Sequence, residues 1–144
     1  MSRIVSYRGL IADGAQDTIN LHTNDGKTGY KIHKFEMIAQ LPGSSQAEFI
    51  MKIYKIPQTT PDQYIDFNDL TLLAAGFLQT QAGETSPYSQ NIIFDNEIFN
   101  QDIYISLKDQ VGGDLCNYYL ELEQIDLTED QALVAIVKNL RNEQ

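Results

Sequence analysis

Apolar and polar residues alternate in short runs along most of this chain, and the period of the alternation changes only near its end. Ile4 to Ala12 is rich in Ile, Val and Tyr and stops at Asp13-Gly14, a pair suited to positive φ in a tight turn. Thr18 to Thr23 sets Ile19 and Leu21 on one face and Thr18, Asn20 and His22 on the other, the pattern of a half-buried strand, with Asn24-Asp25-Gly26 as the next turn. From Tyr30 to Leu41 the phase breaks once. Tyr30 and Ile32 share one face while Phe35, Met37, Ala39 and Leu41 share the other, so a β-bulge is expected near His33 and Lys34. Beyond the turn Pro42-Gly43-Ser44-Ser45, Ala47 to Ile56 is apolar on both faces save for Lys52 and Lys55, which predicts a central strand. Leu70 to Leu78, with Ala74-Ala75-Gly76 inside it, fits a strand or a short helix and is read as a strand; Asn91 to Asp95, Asp102 to Lys108 and Leu115 to Ile125 complete the series, the last two joined across Gly112-Gly113. Pro57 to Asp69 and Gln79 to Gln90 read as long loops, a kind of segment that is commonly functional.

After the last strand the period becomes helical. Thr128 and Gln131 form a capping box, with Leu127 placed as a hydrophobic staple onto Ala132. Leu133, Ile136, Val137 and Leu140 then fall at i, i+3, i+4 and i+7, one stripe that must bury against the sandwich or against a neighbouring subunit. Glu129 and Asp130 in the first turn and Lys138 and Arg141 near the last match the helix dipole. The expected architecture is an all-β sandwich, jelly-roll-like with about eight strands, over residues 1–126, followed by one amphipathic helix within residues 127–144.

Length agrees with one domain and one core, since 144 residues is about the size of a single folding unit. The N-terminus shows no secretory h-region, and no apolar run approaches membrane-span length, so synthesis in a cytosol without export by a signal peptide is expected. The single cysteine, Cys116, excludes an internal disulfide framework and a Cys-rich zinc site. The net charge of −10 is unevenly spread: residues 1–55 sum to +2, residues 56–107 to −7 and residues 108–144 to −5. Such a chain is a poor nucleic-acid binder, because counterion release needs clustered Lys and Arg. The split reads either as a solvated acidic surface or as a weakly basic patch on one copy meeting an acidic patch on another.

Candidate chemistry is sparse. His22 and His33 have no carboxylate at a close sequence spacing, which makes them weak metal ligands. Asp95, Asn96, Glu97, Asn100 and Asp102 are oxygen-rich but lack the EF-hand spacing for Ca²⁺, and a capped turn explains them better. Glu121 and Glu123 share a strand face and read as charges on the wet side of a terminal strand rather than a glycosidase pair. There is no G-x-S-x-G elbow and no phosphate loop. The expectation is therefore no enzyme, no cofactor and no bound metal. The residues singled out for an interface are Asp62, Tyr64, Asp66, Phe67 and Tyr88 in the two loops and Leu140 on the helix. Aromatic loops on a sandwich also suit a carbohydrate-binding module, although the lack of Trp weakens the usual stacking platform.

Several segments resemble small virion structural proteins of marine bacteriophages: Ile32 to Phe35, Lys52 to Lys55, Gln58-Thr59-Thr60 leading to Asp66-Phe67, Leu72 to Ala75, and above all Ile93 to Tyr104 with Cys116 to Glu123. The resemblance spans most of the chain and implies a β-rich capsid or capsid-decoration subunit present in many copies in a virion. The partners it implies are other copies of the chain and other virion proteins, without direct nucleic-acid or membrane contact. A glycan is the partner under the alternative reading, a sugar-binding sandwich in a host-recognition structure.

Overall fold

The computed structural model describes residues 3–43, 46–81, 88–94 and 96–142, with side chains as far as Asn139. Among these, eight strands and a helix follow in the order β1 (Arg3–Ile11), β2 (Gln16–Ile19), β3 (Thr28–Ala39), β4 (Ala47–Tyr54), β5 (Leu72–Thr80), β6 (Tyr88–Ile93), β7 (Ile103–Asp109), β8 (Cys116–Asp126) and α1 (Glu129–Asn142). A three-stranded sheet, β1-β8-β3, faces a five-stranded sheet, β2-β7-β4-β5-β6, and every paired neighbour is antiparallel.

The pairs β1 with β8, β2 with β7 and β4 with β5 are nested, as when one long hairpin is rolled into two layers, and this gives the expected jelly-roll-like sandwich. β6 departs from that order by bonding to β5. It still touches the small sheet, where Asn91 Nδ2 donates to the Phe35 carbonyl at 2.8 Å and closes one side. On the opposite side Tyr118 OH donates to Asp17 Oδ2 at 3.2 Å.

Period-2 alternation accounts for the core. Ile11, Ile32, Phe35, Leu120 and Leu122 of the small sheet meet Phe49, Met51, Ile53, Ile103, Ile105 and Leu107 of the large one, all fully or nearly fully buried. Each such side chain contributes about 1.5–3 kcal/mol through removal of apolar area from water. The pairing of β3 with β8 slips between Ile32 and Lys34, so His33 is the extra residue of a bulge and both Ile32 and Phe35 face inward. Gly14, Gly26, Gly43 and Gly113, in the four turns the sequence marks, all have positive φ.

Three boundaries and positions differ from the sequence expectation. β2 stops at Ile19 rather than Thr23, because Asp102 Oδ1 accepts the backbone N–H groups of Leu21 and His22 at 2.8 and 3.0 Å in place of a ladder partner. The span Gln79 to Gln90 is not all loop: β5 runs to Thr80, and Tyr88 opens β6, opposite Gln79. Polar side chains on an exposed edge strand hide its period, and residues 82–87 lie outside the described residues. β8 is the last strand in sequence but central in its sheet, so Glu121 and Glu123 are not on a terminal strand. They lie among partners instead, with Tyr119 OH donating to Glu121 Oε2 at 2.7 Å, His33 Nε2 3.9 Å from Glu121 and Lys31 Nζ 3.9 Å from Glu123.

Candidate functional site: an apolar strip from the long loop to the helix

The segment between β4 and β5 folds back over the outer face of the large sheet, and this is why β4 reads as apolar on both faces. Two lysines hold it. Lys52 projects from β4 beneath the loop and is only 3% exposed. Its Nζ donates to Asp62 Oδ1 at 2.7 Å and to the Tyr64 carbonyl, and lies 5.5 Å from the centre of the Tyr54 ring. A buried ammonium is tolerable only with such partners. The hydrogen bond from Lys52 holds the Asp62 carboxyl below its usual range. Lys55, also buried, reaches Glu97 Oε2 at 3.0 Å and ties down the turn after β6. At the far side of the sheet the Gln58 N–H donates to Gln16 Oε1 of β2 at 2.7 Å.

With these polar groups satisfied from within, apolar groups remain on the outside of the loop. Asp66 Oδ1 accepts from the Asn68 N–H, and Asp69 Oδ1 accepts both the N–H and the hydroxyl of Thr71. Tyr64 is 72% exposed and Leu70 74%, with Ile65 and Phe67 exposed between them. Phe67 stands edge-on to Phe94, ring centres 5.2 Å apart, above a small satellite core of Tyr54, Leu72 and Ala75. A cleft of about 340 Å³ opens here, walled by Phe67, Leu70 and Phe94 with Asp69, Asn96 and Glu97 as its polar groups. Asn96 also lines a second groove of about 300 Å³, which continues along Ile98 and Leu127 to Asp130, Val134 and Lys138 of α1. The two clefts thus meet at Asn96, an exposed polar residue, with the apolar groups of the loop on one side of it and those of the helix on the other.

The helix cap forms as its sequence predicts: the Gln131 N–H donates to Thr128 Oγ1 at 3.2 Å and the Thr128 N–H to Gln131 Oε1 at 3.0 Å. Its buried face does not. Ala132, Ala135 and Asn139 are buried and Ile136 half-buried, while Leu133, at 61%, and Val137 are exposed. The buried set is the expected stripe displaced by one residue, a rotation of about 100°. The seat beneath α1 explains it. Asn100, fully buried, donates from Nδ2 to the carbonyls of Gly26 at 2.8 Å and Ala132 at 3.2 Å, which draws the backbone at Ala132 close. Gly26 has φ of 66°, and a Cβ there would lie 3.1 Å from both Asn100 Nδ2 and Ile136 Cδ1. Ala132 and Ala135 fit this close approach, with Ile136 over Gly26. The side chain of Leu140, the fourth member of the expected stripe, lies outside the described side chains.

The other singled-out residues separate. Tyr88 packs edge-on to Phe77 at 6.1 Å near the start of β6, whereas the Phe67 cleft adjoins that strand's end at Ile93, so the loop aromatics do not form one cluster. The oxygen-rich run disperses among three tasks: Glu97 binds Lys55, Asn100 seats the helix and Asp102 holds His22. Asp95 is outside the described residues. His22 does have a close carboxylate, contrary to its sequence spacing, since the fold brings Asp102 Oδ1 to 2.7 Å from Nδ1. Burial raises the Asp102 pKa, but the hydrogen bonds from His22 and the backbone N–H of Leu21 outweigh it and leave the carboxyl below its usual value. Among the described residues no three His, Cys, Asp or Glu side chains gather as a metal site. Burial, with Asp109 nearby, pushes the Cys116 thiol up to about 12, which marks it as an inert core residue.

The charge split along the sequence is not a split across the surface. Lys52 and Lys55 are buried and neutralised within the chain by acids of the middle segment, so the basic patch expected of residues 1–55 is reduced from inside. Sequence reasoning assigned Leu70 to an apolar strand and singled out neither Ile98 nor Val134, yet all three are exposed. Among the described residues, no helix is long and apolar enough to cross a membrane. Compared with known proteins, the chain matches no family model and no curated protein is similar enough to align with it.

Proposed function

We propose that this protein is a non-enzymatic assembly subunit, a capsid or capsid-decoration protein of a virion, which meets other copies of itself and other virion proteins through the apolar strip. The observation that carries the reading is this apolar surface: Tyr64, Phe67, Leu70, Ile98, Leu133 and Val134 are exposed on a platform braced by two buried lysines paired with half-exposed acids. Clustered exposed apolar groups mark interaction sites, and aromatic anchors supply much of the affinity in such interfaces. A net charge of −10 keeps the free subunit soluble and disfavours nucleic acid as the partner. The resemblance to phage virion proteins agrees in kind, and with it the subunit is made in a host cytoplasm and ends in the virion.

The Phe67 cleft favours one second reading. Aromatic walls beside Asp69, Asn96 and Glu97 are the ingredients of a sugar site, so a carbohydrate-binding sandwich is the alternative. Light scattering and electron microscopy of purified protein decide between them. Assembly should be weakened by Phe67→Ala and by Leu70→Ala and left intact by Tyr88→Ala, which lies away from the strip. If the Phe67/Leu70 double variant assembles like the wild type, the reading fails. If glycan titration shows binding that Phe67→Ala removes while the protein stays monomeric, the second reading replaces it.

A further inference from the structure

Of the five α1 residues that line the helix groove, three fall in one row at successive turns: Asp130, Val134 and Lys138, at i, i+4 and i+8, with Gln131 and Ala135 beside them. The order is acid, apolar, base, with equal spacing of about 6 Å along the axis on either side of Val134. Leu133 and Val137 flank the row and are exposed with it. Among the described residues neither Asp130 nor Lys138 takes part in an ion pair within the chain, unlike Glu129, which is 3.4 Å from Lys27. A row of this kind is its own complement when it is turned end for end. A twofold axis near Val134 would place Val134 on its counterpart, surround it with Leu133 and Val137 from both copies, and set each Asp130 against the Lys138 of the other.

We infer that two copies of this chain pair through antiparallel α1 helices, with Val134 at the twofold axis and Asp130 facing Lys138 at both ends. The inference deepens the assembly reading above and rests on it. The self-complementary charge order selects a second copy as the occupant of the groove, because a partner of another sequence has no reason to mirror this helix. Repetition of one patch on both subunits is what a closed C2 contact requires. A 14-residue helix offers less than the roughly 800 Å² per partner of a standard interface, so the pair is a weak contact that multiplies in an array rather than an obligate dimer.

Sedimentation velocity across a concentration series tests the pairing on the full chain. Wild-type protein should show a concentration-dependent dimer. Lys138→Glu alone and Asp130→Lys alone each turn two attractions per dimer into repulsions, and each should weaken the dimer by about tenfold or more. The double variant Asp130→Lys/Lys138→Glu restores complementarity and should recover the wild-type affinity, with circular dichroism confirming that α1 is retained in all three. Val134→Asp should abolish the dimer. Single reversals without effect, or a double variant no better than the singles, overturn the pairing. If association survives every helix variant but is lost in Phe67→Ala, the helix pairing is wrong and the assembly reading stands. A wild-type protein that stays monomeric in solution and forms no particles overturns both.

Discussion

Lys52 and Asp62 give the sharpest test of how the loop is held. In Asp62→Ala the ammonium of Lys52, 3% exposed, keeps the Tyr64 carbonyl as an acceptor and loses its anion. Removing one partner of a fully buried ion pair costs about 3–5 kcal/mol. The Asp62 side chain is 51% exposed, so water enters the vacated place and the expected loss falls to about 1–2 kcal/mol. Lys52→Met keeps the stem against Tyr54 and removes the charge that needs a partner, so its cost should stay within about 1 kcal/mol. In a chain of this length 1 kcal/mol corresponds to about 3–4 °C, which puts Asp62→Ala some 3–8 °C below wild type in a thermal melt. Adding Lys52→Met to Asp62→Ala should bring the protein back to the Lys52→Met value. The pair also has a pH signature. Because the folded Asp62 carboxyl titrates below its usual 3.8, its contribution is fully present above that value and is lost as pH falls through the folded pKa. Urea and thermal unfolding of the three variants at neutral and acid pH provide the measurement. An Asp62→Ala melt identical to wild type, or a double variant that shows the sum of the two losses, would refute the account of a buried charge clamping the loop.

The helix rotation predicts that Leu133→Ala changes stability by no more than about 0.5 kcal/mol while Ile136→Ala costs clearly more, and a urea series that reverses this order would restore the unrotated stripe. Asp109 accepts the N–H groups of Glu48, Val111 and Asp114 at 3.0, 3.1 and 2.8 Å, so Asp109→Ala should cost about 2–4 kcal/mol. Burial raises the Asp109 pKa, but these donors outweigh it and hold the carboxyl below 3.8, so the gap between variant and wild type should be full above that pH and close as acid protonates the folded carboxyl. Cys116 should react with a thiol reagent only as fast as the protein unfolds, and rapid stoichiometric labelling of the native state would contradict its burial.

What was legible in the sequence was local. The capping box of Thr128 and Gln131, the bulge at His33 and the four turn glycines each depend on residues within a few positions, and each is found where its pattern stands. The two-layer β architecture of eight strands also followed from alternation and turn spacing, whereas the order of the strands within each sheet did not. The rest depends on parts of the chain far away in sequence. Asp102 meets His22 across 80 residues, Lys55 meets Glu97 across 42, and Asn100 decides which side of α1 is buried across 32. No periodicity within a window carries that information. Tyr64 and Phe67 were legible as exposed, because aromatics amid prolines and aspartates have no strand to bury them, but the meeting of the Phe67 cleft and the α1 groove at Asn96 was not.

The central place of β8 has a consequence for how the molecule comes into being. β1 and β3 never pair with each other; within their sheet each has β8 as its neighbour, and β8 is synthesised more than a hundred residues after its β1 partners. Until β8 emerges the large sheet can form, yet its inner face is without a complete lid, and Ile11, Ile32 and Phe35 wait on strands that lack their sheet partner. Translation at about 5–20 residues per second keeps them waiting for several seconds, time in which unpaired edges invite contact with other nascent chains. Non-local pairing of this kind also slows folding once the chain is complete. β8 thus acts as a completion signal: a chain broken off before Cys116 can present no closed sandwich and, lacking the strand that leads into α1, no helix for a second copy to meet.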